Sequence, residues 1–324
     1  MDSILIIGGH GLLGAKLVEQ ARASGEWEVH FTTHSKERGE DHKLEVTDSG
    51  TAGAAEGAGG HVLEVTDYDA VEKLLKRLKP SAVIDTAAFH NVDACEKEQD
   101  SAMTVNALAP GKMAELCTAA NSHFIFTSTD FVFDGSKTSP YATTDRPNPQ
   151  SFYAHSKLEG ERNVLQTNPM FAVARLSVIY GWNRKKTNFV TWMLGELKAG
   201  REVKVVMDQK SSPTLADSAA EALLRIAKMR KPGIWHTTGK ECLARHEFAL
   251  IAAEVFGFDK ALIKPVPTSA LNQIAKRPAN SCLDVSKTER ELGVKMLTAR
   301  EGLMVMKKQL EETHGEILIP TKHK

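Results

Sequence analysis

Ser3-Ile-Leu-Ile-Ile-Gly-Gly-His-Gly-Leu-Leu-Gly-Ala-Lys-Leu-Val18 is the stretch on which the fold turns. Ile4 to Ile7 read as a buried strand, far too short for a signal or membrane-spanning segment. Gly8, Gly11 and Gly14 follow at three-residue spacing, and an amphipathic helix begins at Leu12. Glycines placed this way allow a tight turn, close approach of backbone to a pyrophosphate, and close packing of helix on strand. The phosphates would lie at the helix N-terminus, where free N–H groups and the dipole favour anions. The stretch therefore predicts a dinucleotide site made of Gly8, His10, Gly11, Leu12, Leu13 and Gly14.

Outward from it, strands alternate with helices. Strands are expected at about 27–33, 81–85, 123–127 and 171–174, with a short one before a helix at 67–78. Further helices are expected at 99–120 and 151–166. This order predicts an α/β fold, a Rossmann-type doubly wound parallel sheet. Past Tyr180 the pattern loosens into helices near 188–198, 215–229, 245–256 and 298–312. Residues 1–180 are thus expected to form the NADP-binding domain. Residues 181–324 would form mainly a smaller, mixed substrate lobe, with about 205–230 returning to the first.

Leu44-Glu-Val-Thr-Asp48 recurs as Leu63-Glu-Val-Thr-Asp67 on either side of the Gly/Ala-rich segment 49–60. Two copies read as a local duplication that made a surface loop. The second is expected to supply the third strand, with Thr66 or Asp67 capping the next helix.

Lys+Arg and Asp+Glu both number 41, so no overall charge draws the chain to nucleic acid or an anionic membrane. The four cysteines form no C-x-x-C pair, which predicts reduced thiols in a cytoplasmic protein rather than zinc or a disulfide. The histidines show no ligand spacing, and no metal site is expected.

Thr32-Thr-His-Ser-Lys-Glu-Arg38 closes the second strand, and no carboxylate precedes Glu37. An acidic residue there would take the ribose hydroxyls, whereas His34, Ser35, Lys36 and Arg38 suit a 2′-phosphate. NADPH is therefore expected, with NADH possible.

Phe124-Ile-Phe-Thr-Ser-Thr-Asp-Phe-Val-Phe-Asp-Gly135 runs from a strand into a polar triplet at the end where doubly wound sheets bind ligands. Tyr153 and Lys157 stand four apart on one helix face. A phenol has a reference pKa of about 10. A neighbouring ammonium would lower it, making Tyr153 a usable general acid. Thr129 would bond a substrate carbonyl and Lys157 would also hold the nicotinamide ribose. His10 and His90 would lie near the cleft.

At this point the chain resembles the extended short-chain dehydrogenase/reductase superfamily. Within it the likeness is to dTDP-4-dehydrorhamnose reductase and its relative, the regulatory β subunit of methionine adenosyltransferase. The glycine turn, Asp85-Thr-Ala-Ala-Phe-His-Asn-Val-Asp-Ala-Cys-Glu96, Val105-Asn-Ala107, Ser128–Gly135, Tyr153-x-x-x-Lys157, Arg175–Gly181 and Arg277–Asp284 carry it.

The resemblance implies Thr129, Tyr153 and Lys157 as the catalytic trio, Ala87, Ala88 and Asn106 along the cofactor cleft, and Glu64 or Val65 by the adenine. His90, Asp130, Phe131, Val178, Gln209 and Thr214 are expected near the substrate. It implies reduction of dTDP-4-dehydrorhamnose to dTDP-L-rhamnose, and a homodimer is compatible with it. A non-catalytic NADP-binding regulatory subunit, or a reductase or epimerase of another nucleotide sugar, remains open. Dehydratases of the superfamily carry Asp-Glu after the threonine. Phe131 stands in place of that glutamate here, so reduction is favoured. Val178 replaces a tryptophan usual in the reductases, which removes an aromatic platform for the sugar.

Overall fold

The computed structural model describes residues 1–34, 59–183 and 186–312. Its first part runs β1 (Asp2–Ile7), α1 (Leu12–Ser24), β2 (Trp27–Thr33), β3 (Gly60–Val62), α2 (Tyr68–Leu78), β4 (Ala82–Asp85), α3 (Val92–Lys97) and α4 (Gln99–Met103). A π-helical turn at Thr104–Leu108 leads into α5 (Ala109–Ala119), β5 (His123–Thr129), α6 (Phe152–Thr167) and β6 (Ala172–Leu176). Then come β7 (Ile179–Tyr180), α7 (Phe189–Lys198), β8 (Val203–Val206), β9 (Lys210–Ser211), β10 (Thr214–Leu215), α8 (Ala216–Met229) and β11 (Gly233–His236). The chain closes with β12 (Leu243–Ala244), α9 (Arg245–Phe256), β13 (Ile263–Val266), α10 (Ser286–Leu292) and α11 (Ala299–Glu312).

The main sheet is parallel, in the order β11-β6-β5-β4-β1-β2-β3. Strand order reverses between β1 and β4, opening a crevice at their carboxyl ends. Because side chains alternate along a strand, β1 serves two cores. Ile4 and Ile6 pack with Leu17 of α1 and Leu223 of α8, while Leu5 and Ile7 pack with Leu74 of α2 and Phe126.

The smaller lobe has its own core of Val190, Met193, Phe248 and Leu303, with β8 paired to β13. From within the later sequence, α8 returns to cover α1 and β11 completes the sheet beside β6. Among the described residues, no helix is long and apolar enough to cross a membrane.

Two expectations need correction. The third strand ends at Val62, just before the second repeat copy. Leu63 of that copy enters the core, and Asp67 caps α2 by accepting the Ala70 N–H at 3.0 Å. The first copy, 44–48, and most of the Gly/Ala-rich segment lie outside the described residues. The helix expected at 99–120 is present over 99–119, with the π turn that contains Asn106 inside it. Finally, Cys242 and Cys282 form a disulfide with Cα atoms 5.3 Å apart, against the expectation of four free thiols. Forty residues separate them in sequence, so short-range spacing gave no sign of it. The fold pairs β12 with β9 and runs residue 280 past Lys210, which brings the two cysteines together. Cys95 and Cys117 are free and buried.

Candidate active site

The glycine turn is packed as a cradle. A Cβ on Gly14 would sit 2.2 Å from the Gly8 carbonyl oxygen, and one on Gly8 2.8 Å from Thr86 Oγ1. Gly8 also takes φ +82°, a region that favours glycine. The Gly9 N–H donates to the Thr32 carbonyl at 2.8 Å and the Gly11 N–H to the Gly8 carbonyl at 2.9 Å, so the loop is held by its own backbone. No side chain caps the N-terminus of α1 at Gly11. Its first N–H groups thus face the crevice, which fits a dinucleotide pyrophosphate.

At the end of β2, the His34 ring nitrogen Nε2 meets the carboxylate of Glu64, which follows β3. Val65 lies beside it, partly buried. Ser35, Lys36 and Arg38 lie outside the described residues.

Ala87 and Ala88 are partly buried just past β4, and His90 is exposed beyond them. Asn106 is placed differently: it is wholly buried. It accepts from the Phe89 N–H at 2.9 Å and donates to the Phe89 carbonyl and Ser156 Oγ, each at 3.0 Å. It braces the loop beside the cleft and ties it to α6.

Thr129 ends β5, and Ser151 caps α6 by accepting the Ala154 N–H. These two elements bring Thr129, Tyr153 and Lys157 together. Thr129 Oγ1 accepts the Phe131 N–H at 3.2 Å and lies beside the Tyr153 phenol. The Phe131 ring meets the Tyr153 ring edge-on at 6.3 Å.

Burial pushes the Tyr153 pKa up, and the Thr129 hydroxyl beside the phenol works against that rise. This corrects the expectation of a lowered phenol pKa, since desolvation dominates here. The proton stays on Tyr153, as a donor requires. Lys157 is buried with Nζ 4.0 Å from the Phe126 ring centre. Burial lowers its pKa to about 8, while Asp85 and Glu161 pull it upward. Asp85, enclosed at the end of β4, is in turn raised to about 6 by burial, with Lys157 opposing.

Of the expected substrate residues, Asp130 and Thr214 turn inward. Asp130 accepts from Ser177 Oγ at 2.7 Å and Ser281 Oγ at 2.5 Å, and bonds Thr129 Oγ1 at 3.1 Å. Thr214 is fully buried, bonded to the Ser212 carbonyl and the Gly239 N–H. Gln209 reaches Thr268 and Gln273 in the smaller lobe. Val178 stands at φ +37°, a strained backbone for a β-branched residue. Its carbonyl accepts the Thr214 N–H at 3.1 Å. Arg277 pairs with Asp93 at 2.6 Å, joining the lobes across the cleft, while Asp284 binds Ser286 at the start of α10.

Sequence reasoning missed Asp85, Ser177 and Ser281 as parts of the site. The first stood in a quoted motif as an acidic residue at a strand end. The serines also stood in quoted motifs, Arg175–Gly181 and Arg277–Asp284, but nothing there gave them a role.

A family model described as RmlD substrate binding domain matches residues 1–312. The chain belongs to that family. A probable low-salt glycan biosynthesis reductase, Agl14, of Haloferax volcanii is 33% identical over 304 residues, covering 93% of this chain and 96% of the relative. A dTDP-4-dehydrorhamnose reductase of Aggregatibacter actinomycetemcomitans is 32% identical, covering 91% and 94%. The crystal structure of a dTDP-4-dehydrorhamnose reductase from Clostridium acetobutylicum superposes with a TM-score of 0.81 at 30% identity, covering 95% and 99%. As a member of this family the chain is an oxidoreductase of the dTDP-4-dehydrorhamnose reductase type. The trio of Thr129, Tyr153 and Lys157 sits in its cleft where ligands of doubly wound sheets bind.

Proposed function

We propose that this protein uses NADPH to reduce the 4-keto group of a dTDP-4-keto-6-deoxy sugar, converting dTDP-4-dehydrorhamnose to dTDP-L-rhamnose. One observation carries the reading: Tyr153 packs its ring against Phe131, two residues past Thr129 at the carboxyl end of β5, with Lys157 one helical turn away. When bound in the glycine cradle, the dinucleotide supplies the hydride. Tyr153 gives its proton to the carbonyl oxygen as that oxygen gains charge. Thr129 donates a hydrogen bond to the same oxygen, and Lys157 holds the nicotinamide ribose. Phe131 fills the place where a dehydratase would need a second base. Simple carbonyl reduction needs none.

The test supplies dTDP-4-keto-6-deoxyglucose and a 3,5-epimerase and follows NADPH oxidation, with NADH in parallel. Turnover that depends on the epimerase, and runs faster with NADPH, is the expected result. Dinucleotide binding without any oxidation would overturn it. In that case, co-purification with a methionine adenosyltransferase would establish the regulatory-subunit alternative.

A further inference from the structure

We propose that Arg245 is the smaller lobe's grip on the diphosphate of the nucleotide-sugar substrate. The proposal rests on the nucleotide-sugar reading of the site and names a residue that holds that ligand. Arg245 is partly buried at the start of α9, with Cζ 5.3 Å from the Phe189 ring centre. Among the described residues no carboxylate lies within ion-pair distance of it. Other arginines at the cleft are matched, Arg175 with Glu161 and Arg277 with Asp93. The carboxylates near Arg245 are committed elsewhere. Asp130 accepts from hydroxyls of Ser177 and Ser281, and Asp208 holds the Thr268 N–H and hydroxyl. Glu247 turns back to the Ala244 N–H at 2.8 Å. Burial works against the charge on Arg245; Asp130 supports it from beyond ion-pair distance, and Arg277 opposes it. A guanidinium drawn out of water without an anion is costly, and its planar fork matches a pair of phosphate oxygens.

Backbone contacts put this cation on the cleft. The Arg245 N–H donates to the Gln209 carbonyl at 3.0 Å, and Ala244 pairs with Lys210. The Lys210 carbonyl accepts the Ser281 N–H at 2.9 Å, and Ser281 Oγ reaches Asp130, next to Thr129. On the other side, Phe189 begins α7, and Asn183 of the preceding loop bonds the His10 carbonyl of the glycine turn at 3.5 Å. Arg245 thus stands on the smaller lobe between the Thr129 end of the site and the loop beside the glycine turn.

The shape of the substrate supplies the rest. A nucleotide sugar carries its diphosphate on C1, across the ring from a keto group at C4. With that keto group at Thr129 and Tyr153, the diphosphate must lie one ring's width outward. The glycine turn serves the cofactor's own pyrophosphate, so the second diphosphate needs a cation from the opposite wall. Arg245 supplies it. Stacking on Phe189 alone would instead make Arg245 a packing residue, and stability separates the two roles.

Arg245→Gln removes the charge, while Arg245→Lys keeps the charge without the fork. With dTDP as the probe, titrated calorimetrically in the presence of NADP+, Arg245→Gln should raise Kd about 10- to 100-fold, the scale of a charged hydrogen bond. Arg245→Lys should fall between it and the parent, and NADPH Kd should be unchanged in both. With dTDP-4-dehydrorhamnose, KM should rise alongside. Its kcat should stay within about threefold, since a contact remote from C4 serves ground and transition states alike. Unliganded Arg245→Gln should unfold at the parent's urea midpoint or above it, because an unpaired cation is gone. A lower midpoint with an unchanged dTDP Kd would make Arg245 a packing residue and overturn the proposal. A parent that binds no dTDP would overturn it too, as would an equal loss of NADPH affinity, which would give Arg245 to the cofactor. If the parent reduces the keto sugar and Arg245→Gln keeps its KM, the assignment falls while the reductase reading stands. If dTDP binds through Arg245 but the keto sugar oxidises no NADPH, the reductase reading falls while the assignment stands.

Discussion

Arg175 and Glu161 are joined by two parallel hydrogen bonds, Nε to Oε1 at 2.9 Å and Nη2 to Oε2 at 2.7 Å. Their side chains are only 1% and 3% exposed. The guanidinium also lies 5.0 Å from the Phe133 ring centre. Glu161 sits one turn beyond Lys157 on α6, so the pair pins the helix that carries Tyr153 and Lys157 to β6. Arg175→Met should destabilise by about 3–5 kcal/mol, because it strands a buried carboxylate. Adding Glu161→Leu should recover much of that loss. Urea unfolding of the two variants checks it; equal stabilities would mean that the carboxylate tolerates solitude.

Tyr153→Phe removes one oxygen and leaves the ring against Phe131. Turnover should fall by about 10²–10⁴-fold, the usual worth of an aimed proton donor. NADPH affinity, measured by fluorescence titration, should barely move. Wild-type turnover in the variant would remove Tyr153 from the mechanism.

Lys157 is charged below about 8 and loses its proton as the pH rises through that value. If its ammonium holds the ribose, kcat/KM should be flat below about 8 and decline above it. Asp85 is the carboxylate that pulls this pKa upward, so Asp85→Asn should start the decline at lower pH. A decline that stayed put, or moved to higher pH, would contradict the coupling.

Stability should fall in mild acid. His123 and His236 are buried, with pKa values lowered by desolvation to about 4 and about 3 from 6.5. Between those limits the unfolded chain binds the protons and the folded chain refuses them. Stability present above 6.5 is therefore lost as the pH drops, by about 1.4 kcal/mol per unit for each imidazole. Asp85 has the opposite sign. Its folded pKa is raised, so the cost of burying its charge is relieved as the pH falls through about 6. Asp130, raised by burial, shares that sign, while half-buried His61, lowered to about 4, adds to the imidazoles. Three imidazoles outweigh two carboxyls, and urea midpoints should decrease from neutral pH to about 5. His236→Asn can keep the bond to the Asp284 carbonyl without a titrating ring, and should flatten the curve.

Much of the sheet was legible because periodicity reports which face of an element is buried. The run from Ile4 to Ile7 and the glycines after it place β1, the turn and α1 without help from elsewhere. Tyr153 and Lys157 were legible for a similar reason, since helical spacing fixes their common face. What escaped were relationships with no local signature. Ser177 and Ser281 lie 47 and 151 residues from Asp130, and nothing in their neighbours marks them as its donors. His34 and Glu64 meet only because β3 pairs with β2. The Tyr153 pKa was misjudged because burial cannot be weighed from a spacing, and here it exceeds every charge effect. The strand at Gly233–His236 was hidden by order: it joins the sheet after the chain has left it to begin another lobe.

The Cys242–Cys282 bond closes residues 242–282 into a covalent ring that contains α9, β13 and the Arg277 segment. A single backbone cut inside that ring would leave both ends attached to the same molecule. A protease nicking the segment would therefore yield a protein of unchanged mass apart from one water. It would fall into two pieces on a gel only after a thiol reductant was added.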